Sequence, residues 1–278
     1  MTVAKIAGNP EGGQGAYGLR LDGLDTPLLV SHVPESWPGV RVALDHNSLP
    51  PDRSSYGEGA IDLSFETGWG ITLRREESTI TFQLPPCATV DDLVHPYLAS
   101  AAMHFAGWLG HSTFHGGAFV QQGHAFAVFA HKNGGKSTTL AALAGSGIHV
   151  IADDLLVIDK SASALSGPRS IDLRPEAVTD HVVEPVRGDE RRRLRLPPIE
   201  PTHPVAGVFL LGWADKFSIE PLTPSERVIA LTQHCPPVVA RTSAMLELSR
   251  LPMWRVNRLR DLSCLDDVCD RILQTALE

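Results

Sequence analysis

The stretch FAVFAHKNGGKSTTLAALAGSGIHVIADDLLVID, residues 126–159, decides the fold of this protein. An apolar run ending at Ala130 is followed by GGKS at residues 134–137 and then by an apolar, alanine-rich segment. This order predicts a strand, a glycine-rich turn and a helix that begins at Lys136. Such a turn aims backbone N–H groups inward beside the positive end of a helix, which is how phosphate-binding loops hold an anion.

The end of the loop predicts a nucleotide site. In loops of this kind a lysine bridges the outer phosphates, and a serine or threonine hydroxyl binds Mg²⁺. Ala130 stands where such loops usually have glycine, and Asn133, the non-glycine residue that best tolerates a positive φ, stands where many have another. A plain Gly-Gly turn with a surface lysine is the structural alternative. The residues predicted to surround the phosphates are His131, Lys132, Asn133, Gly134, Gly135, Lys136, Ser137 and Thr138.

Two adjacent carboxylates, Asp153 and Asp154, interrupt the apolar strand pattern VIADDLLVI. Neighbouring residues of a strand face opposite sides, so one carboxylate would be buried unless the chain bends or bulges there. An unpaired buried carboxylate is costly, and a cation, a phosphate-bound Mg²⁺ or a substrate hydroxyl would offset that cost. A cap or turn pair at the strand end is the alternative.

His115, in the segment FHGGAFV, is the third candidate, although a histidine in this position is more often structural. His111 and His115 have HxxxH spacing, which aligns two metal ligands only on a helix. Gly110 and the strand pattern that follows it argue against a helix here. Because the sequence also lacks an HExxH motif, we do not expect a zinc site.

Composition excludes several classes of protein. The chain has 278 residues, a hydrophobic content of 43% and a formal net charge of −8, which argues against nucleic acid or an anionic membrane as the main partner. No stretch reaches the ~20 apolar residues of a membrane span, and the first residues do not resemble a signal peptide. We expect a soluble, cytoplasmic protein. Its cysteines, which we interpret as reduced thiols, are Cys87, Cys235, Cys264 and Cys269.

The chain divides into two parts by its hydrophobic pattern. Between residues 17 and 84 apolar and polar residues alternate, as expected for half-buried antiparallel strands. We therefore expect a β-rich N-terminal region, residues 1–88, and an α/β domain, residues 89–278. The second part should begin with a helix at about 90–109 that tolerates or is kinked by Pro96.

The rest of the second part alternates strands and helices. A capping box at Thr223 and a second helix start near Ser263 predict the later helices. The charged segment 188–198 is interpreted as a mobile loop. The expected strands are 114–120, 124–129, 148–152, 155–158 and 206–211, and the expected helices are 136–144, 223–233 and a last helix from about 263.

Taken together, FHGGAFVQQGHAFAVFAHKNGGKSTTLAALAGSGIHVIADDLLVI resembles the catalytic core of the HPr kinase/phosphorylase-like kinases, distant relatives of phosphoenolpyruvate carboxykinase. That family has a His-Gly strand, a second strand, a G-x-S-G-x-G-K-S loop, a helix and a strand ending in Asp-Asp. His115 lies 21 residues before Lys136 and Asp153 lies 17 residues after it, which matches the family's order and spacing. The resemblance implies an α/β fold with a mixed-sheet P-loop kinase core of HPr kinase type.

The resemblance also implies roles for individual residues. Lys136 would hold the β- and γ-phosphates of ATP or another nucleoside triphosphate, while Ser137 and Asp154 would bind Mg²⁺. One of Asp153 and Asp154 would accept the proton of the attacking hydroxyl, and the other would help to place the metal. His115 would orient the phosphoryl group or the aspartate. In phosphoryl transfer, positioning and charge neutralisation of this kind supply most of the catalysis.

The chain departs from the family in the loop, where Ala130, Lys132 and Asn133 replace Gly, Ser and Gly. It also lacks the Glu-x-Arg-Gly and Pro-Val-Arg-Pro-Gly-Arg-Asn segments that serve HPr and the reverse reaction. HPr is therefore not the expected acceptor. The chain looks more like shorter relatives among tailoring enzymes, some of which phosphorylate serine on small ribosomal peptides.

Residues downstream of the aspartates are assigned less specifically. In that setting Asp172, Arg174 and Glu176 would border the site. Arginines within residues 191–195 could close over phosphates, but a solvated charge run is the preferred interpretation.

Three functions remain open from the sequence. The first is a Mg²⁺-dependent phosphotransferase acting on a hydroxyl, such as a serine, of a peptide or small molecule. The second is a catalytically degraded protein of the same fold that binds nucleotide or peptide, for which Ala130 is the main support. The third is a phosphorylase or phosphatase that runs the same site backwards. A homo-oligomer is left open because members of the family often assemble.

Overall fold

The structure is a computed structural model that describes residues 13–86, 88–177, 183–187, 190–236 and 242–278, with the side chains of 242–244 excepted. Across these ranges the protein is a mixed α/β arrangement of three sheets and six α-helices. Within the described residues, no helix combines the length and the apolar character that crossing a membrane requires.

The first sheet lies in the N-terminal part of the chain. Its strands are β1 to β7, which are Gly15–Ala16, Leu19–Asp22, Gly39–Asp45, Ser55–Tyr56, Ala60–Ser64, Gly70–Arg74 and Thr79–Gln83. The spatial order is β1-β2-β3-β7-β6-β5-β4. The alternation seen in the sequence buries one face, as in β7, where Ile80 and Phe82 are fully buried. The expected antiparallel arrangement is wrong for β3, which pairs in parallel with both β2 and β7.

A kinked helical segment follows the first sheet. Helix α1, Val90–Leu93, begins with a capping box between Thr89 and Asp92, and helix α2, Ala99–Leu109, ends at Gly110. Between them His95 leaves the helical conformation next to Pro96. Of the two outcomes that the sequence left open for Pro96, a tolerated proline and a kink, the structure shows the kink.

The later strands form a mixed eight-stranded sheet and a small three-stranded sheet. Strands β8 to β18 are Ser112–Gln121, His124–Ala130, Val150–Ala152, Leu155–Ile158, Ser163–Leu165, Ser170–Leu173, Glu184–Val186, Arg191–Arg195, Thr202–Trp213, Ser218–Pro221 and Met253–Arg258. In the large sheet, β9 lies between β8 and β16, and β18 follows β16. Strands β9, β16 and β18 are parallel to one another, so their carboxyl ends meet at one edge of the sheet.

The remaining helices lie between or after strands of the large sheet along the chain. They are α3, Lys136–Gly145; α4, Pro224–His234; α5, Thr242–Arg250; and α6, Leu265–Thr275. Helix α3 begins six residues after the end of β9, as the glycine-rich loop predicts, and buries Leu140 and Leu143. Helix α6 buries Leu265, Val268, Cys269 and Ile272.

The three-stranded sheet corrects one expectation. The segment interpreted as a mobile charged loop contains β15, which pairs with β13 on one side and β14 on the other. Arg193 on this strand is fully buried and forms an ion pair with Asp172, so a solvated charge run is the wrong description of it. Arg193 is the buried residue of this strand, and its neighbours Arg192 and Leu194 are partly exposed. Residues 188 and 189 lie outside the described residues.

The N-terminal part packs directly on the later one. The amide of Tyr17 donates to the carbonyl of Ser166 at 2.8 Å, and the amide of Arg169 donates to the carbonyl of Leu28 at 2.7 Å. Apolar residues of both parts share one core. The division into regions 1–88 and 89–278 stays a prediction.

Candidate functional site

The glycine-rich loop connects β9 to α3 with the backbone conformations that its residues favour. Ala130 is the last residue of β9, pairs with Leu211 and is buried. Asn133 has a φ of 64° and Gly135 a φ of 74°, which asparagine and glycine tolerate best. A Cβ at Gly134 would lie 2.8 Å both from the Cβ of Ala130 and from the carbonyl oxygen of His131, so the loop requires a glycine at position 134.

Side chains from outside the loop hold its backbone and its asparagine. The indole Nε1 of Trp213 donates to the carbonyl of Asn133 at 3.2 Å, and Nη2 of Arg258 donates to the carbonyl of Gly134 at 2.5 Å. Nη2 of Arg174 donates to Oδ1 of Asn133 at 2.9 Å. The loop is therefore fixed from three separate elements.

Lys136, the first residue of α3, lies between the two aspartates. Its Nζ contacts the carboxylate of Asp153 and lies 3.2 Å from Oδ1 of Asp154. The side chains of Lys136 and Asp153 are only 6% and 1% exposed, whereas that of Asp154 is 47% exposed. The lysine is thus a buried cation that both carboxylates neutralise, which is the arrangement a buried charge requires.

The charges of this cluster shift its pKa values in opposite directions. Burial alone would lower the pKa of Lys136, but the two carboxylates outweigh burial and raise it. For Asp154, burial would raise the pKa, but Lys136, with a smaller contribution from His95, lowers it to about 2. Lys136 therefore stays charged, and Asp154 stays ionised, throughout the physiological range.

A bend in the chain brings both carboxylates to one lysine. Strand β10 ends at Ala152 and β11 begins at Leu155, and Asp154 between them has a φ of 66°. The register of β10 against β8 also shifts between Val150 and Ala152. The chain thus bends at the aspartates, and one of them, Asp153, is buried while Asp154 is half-exposed.

His115 lies on β8 directly opposite Leu155, with an exposed side chain. It lines the same cavity as Asp154 and the loop. His111, at the HxxxH spacing, lies just before β8 and close to Asp159 and Lys160 instead. Across the described residues, no group of three or more His, Cys, Asp or Glu side chains is placed to hold a metal ion by itself.

A cavity of about 660 Å³ unites the predicted residues. This volume is typical of a small-molecule site. Asp153 does not line the cavity, because it lies buried behind Lys136. The predicted site residues that do line it are His115, Asp154, His131, Lys132, Asn133, Gly134, Gly135, Lys136, Ser137 and Thr138.

The rim of the cavity includes expected and unexpected residues. Asp172, Arg174 and Glu176, which the sequence placed at the border of the site, line it. The sequence analysis did not predict some of the residues that line the cavity. They lie at the ends of β16 and β18 and in the segments that follow β14 and β18. The sequence contained one signal for these residues, because the apolar run AGVFLLGW ends in a tryptophan. These missed residues are Arg187, Trp213, Arg258, Arg260, Asp261, Leu262 and Leu265, whereas Arg191, which also lines the cavity, belongs to the arginines that the sequence analysis named as able to close over phosphates.

Two buried polar residues from earlier in the chain lie behind the aspartates. The hydroxyl of Tyr17 is fully buried and has no hydrogen-bond partner among the described residues. Burial, followed by the charges of Asp154 and Asp153, raises the pKa of Tyr17 well above its ordinary value. His95 is buried as well, with Nε2 3.2 Å from the carbonyl of Ser170. The N-terminal part of the chain therefore contributes to the electrostatic environment of the aspartates.

The arrangement suits an anion accompanied by Mg²⁺. The amino end of α3 favours negative charge in the cavity, and the ammonium of Lys136 would add to this once it is released from Asp153. Mg²⁺ in proteins is typically bound by one or two carboxylates together with substrate phosphates and water. Ser137 and Asp154 line the cavity together, so the predicted metal ligands fit this donor set in kind.

Comparisons with known proteins identify no family. No model of a known protein family matches the chain, and no curated protein matches it. Solved structures that are similar to it include the Hpr(Ser) kinase/phosphatase from Coxiella burnetii, with 13% sequence identity over 59% of this chain and 97% of that chain. The TM-score of 0.31 is too low to assign a fold or an activity to this chain.

Proposed function

We propose that the protein is a Mg²⁺-dependent phosphotransferase that moves a phosphoryl group from ATP or another nucleoside triphosphate to a hydroxyl, such as a serine, of a peptide or small molecule. One observation carries the proposal: Lys136 at the start of α3 meets Asp153 and Asp154 beside a glycine-rich loop that lines a large cavity. The order of these motifs along the chain supports a P-loop core of HPr kinase type, related to peptide-tailoring serine kinases.

The two aspartates take different parts in the proposed reaction. The acceptor oxygen bonds to the γ-phosphorus, the bond from that phosphorus to the bridging oxygen breaks, and the acceptor's proton goes to a carboxylate. Of the two, Asp154 lines the cavity and is half-exposed, so it can reach the acceptor or the metal. Asp153 is buried against Lys136 and positions the ammonium. Phosphates that draw Lys136 away would raise the pKa of Asp154 and make it a better base.

The direct test is nucleotide binding and turnover by the intact protein. We expect Mg²⁺ and ATP to raise the melting temperature, and Lys136→Ala and Asp154→Asn to abolish phosphoryl transfer or ADP release. Lys216→Ala, which removes an exposed lysine outside the cavity, is the matched control. Failure of ATP both to bind and to stabilise the wild-type protein would refute the proposal.

A binding protein without turnover is the second candidate. It is favoured by the close contact between Lys136 and Asp153, because that contact must open before the ammonium reaches a phosphate. Stabilisation by ATP without ADP release, over a panel of serine peptides and small alcohols, would support this candidate. Formation of pyrophosphate from a phosphoserine peptide and inorganic phosphate would instead show the reverse activity.

The proposal also covers the compartment, the partners and the oligomeric state of the protein. We propose that the protein acts in the cytoplasm, and its net charge of −8 argues against a nucleic acid or an anionic membrane as its main partner. Assembly into a homo-oligomer is compatible with the proposal, and sedimentation of the purified protein would test it.

A further inference from the structure

The loop separates two different sides of the cavity. On one side of β9 lies β8, with His115, and beyond it the turn that carries Asp154. On the other side lie the carboxyl ends of β16 and β18, where Trp213 and Arg258 are paired in register. Ligands of parallel sheets bind at the carboxyl ends of the strands. A triphosphate bound along the loop with its reacting end at the aspartates would therefore have its opposite end on the side of Trp213.

Trp213 is held in place although it is 40% exposed. Its Nε1 donates to the carbonyl of Asn133, and the edge of its ring lies so close to Gly135 that a Cβ there would be 3.1 Å from Cη2. The guanidinium of Arg258 lies over the ring, 4.1 Å from its centroid. An exposed aromatic ring with a fixed orientation at the mouth of a cavity is a ready stacking surface.

Arg258 gives this surface a buried positive charge. It is 4% exposed, its Nε has no hydrogen-bond partner, and no described carboxylate lies within ion-pair distance of it. Burial lowers the pKa of Arg258 to about 10, which leaves it charged at neutral pH. A buried cation without a counter-ion is costly, and it favours negative charge or an electron-rich ring nearby.

The segment after β18 adds an exposed apolar side chain to the lining of the cavity. Leu262, 48% exposed, lines the cavity together with Arg260 and Asp261. The side chain of Asp261 accepts a hydrogen bond from the amide of Ser263 at 2.9 Å, which fixes the turn that presents Leu262. The mouth of the cavity therefore presents the aromatic ring of Trp213, the aliphatic side chain of Leu262 and the polar side chains of Arg260 and Asp261.

We propose that the mouth of the cavity, formed by Trp213 and Leu262, holds the nucleobase of the phosphoryl donor by stacking on the Trp213 ring. The inference rests on the proposed function and goes beyond it, because it makes the donor a nucleotide recognised by its base and not by its phosphates alone. Stacking of a base on an aromatic side chain corresponds to roughly 5- to 150-fold in affinity.

The experiment compares two ligands that share a triphosphate chain, of which only ATP also carries a nucleoside. Calorimetry would measure binding of Mg²⁺-ATP and of Mg²⁺-tripolyphosphate to the wild-type protein and to Trp213→Ala. We expect Trp213→Ala to weaken ATP binding roughly 5- to 150-fold and to change tripolyphosphate binding less than about threefold. Trp213→Phe should retain most of the affinity for ATP.

Matched variants and contrary outcomes separate the inference from the proposed function. Leu262→Ala should weaken ATP binding but not tripolyphosphate binding, whereas Leu277→Ala, at a leucine 52% exposed and outside the cavity, should change neither. An equal loss of both ligands in Trp213→Ala would show that Trp213 only supports the loop, and would overturn the inference while the proposed function stands. Equal affinity of the wild-type protein for both ligands would also overturn it. If neither ligand binds, the proposed function itself fails.

Discussion

The ammonium of Lys136 and the carboxylate of Asp153 form an ion pair in the protein interior, 17 residues apart in the chain. Removing one member of such a pair leaves the other buried without compensation, which costs about 3–5 kcal/mol. We therefore expect Lys136→Met to lower the free energy of unfolding by that amount in urea titrations. The double variant Lys136→Met/Asp153→Leu should recover most of the loss. Equal losses in the single and double variants would contradict this account of the pair.

A second buried pair holds the small sheet in place. Arg193 donates to both carboxylate oxygens of Asp172, at 2.7 and 2.9 Å, and also to the carbonyl of Asp91 at 2.8 Å. We expect Asp172→Asn to lower the free energy of unfolding by about 3–5 kcal/mol, because Arg193 would remain buried and charged. Glu247→Gln, which breaks an exposed pair with Arg250, should cost less than about 1 kcal/mol. Similar losses of unfolding free energy in Asp172→Asn and Glu247→Gln would contradict the claim that the buried pair contributes more to stability than the exposed pair.

His234 should make stability depend on pH. It is 4% exposed, and burial, followed by the charges of His131 and His115, lowers its pKa to about 4. Above pH ~6.5 the imidazole is neutral in both states and has no effect. Between pH ~6.5 and ~4 the unfolded chain binds a proton that the folded protein does not, so the free energy of unfolding falls as the pH falls.

The measurement is urea unfolding at neutral pH and at about pH 5. His234→Phe keeps a ring against Phe129 but removes the titration, so the loss of stability on acidification should be smaller by about 2 kcal/mol. His149→Phe, at an exposed histidine, is the control and should leave the acid loss unchanged. An acid loss in His234→Phe equal to that of the wild-type protein would contradict the prediction.

Tyr17 offers a test of the unpartnered hydroxyl behind the aspartates. Because this hydroxyl has no hydrogen-bond partner among the described residues, Tyr17→Phe should leave the free energy of unfolding unchanged or raise it by up to about 1 kcal/mol. The control is Tyr97→Phe, which loses a hydrogen bond of 2.7 Å to Thr67 and should cost about 1 kcal/mol. A clear destabilisation by Tyr17→Phe would show that the hydroxyl makes a contact in solution.

The sequence predicted the local parts of this structure well because they depend on short-range rules. The conformation at Asn133 follows from the tolerance of asparagine for positive φ, and the start of α3 follows from the glycine-rich turn before it. The cost of placing an unpaired carboxylate in a buried strand marked Asp153 and Asp154 as candidates for the site. These features need no knowledge of the rest of the chain.

Contacts between distant segments could not be predicted in this way. Arg258 reaches the carbonyl of Gly134 across 124 residues, and no local pattern marks VNRLRD as a neighbour of the loop. Arg193 was interpreted as solvated because its partner, Asp172, meets it only after β13 and β15 pair. The proximity of Tyr17 to the aspartates could not be predicted for the same reason, because it arises from packing between the N-terminal sheet and the later part of the chain.

The fit between Ala130 and Gly134 makes the loop sensitive to a single methyl group. A Cβ at position 134 would lie 2.8 Å both from the Cβ of Ala130 and from the backbone carbonyl oxygen of His131, and a backbone atom cannot give way as a side chain can. We expect Gly134→Ala to abolish the increase in melting temperature caused by Mg²⁺-ATP. Ala130→Gly in the same chain should not restore it, because the contact with the His131 oxygen remains. Gly59→Ala, where the new Cβ would meet its nearest neighbour at 3.9 Å, should respond to ATP as the wild-type protein does. An unchanged ATP response in Gly134→Ala would show that the loop does not hold the triphosphate.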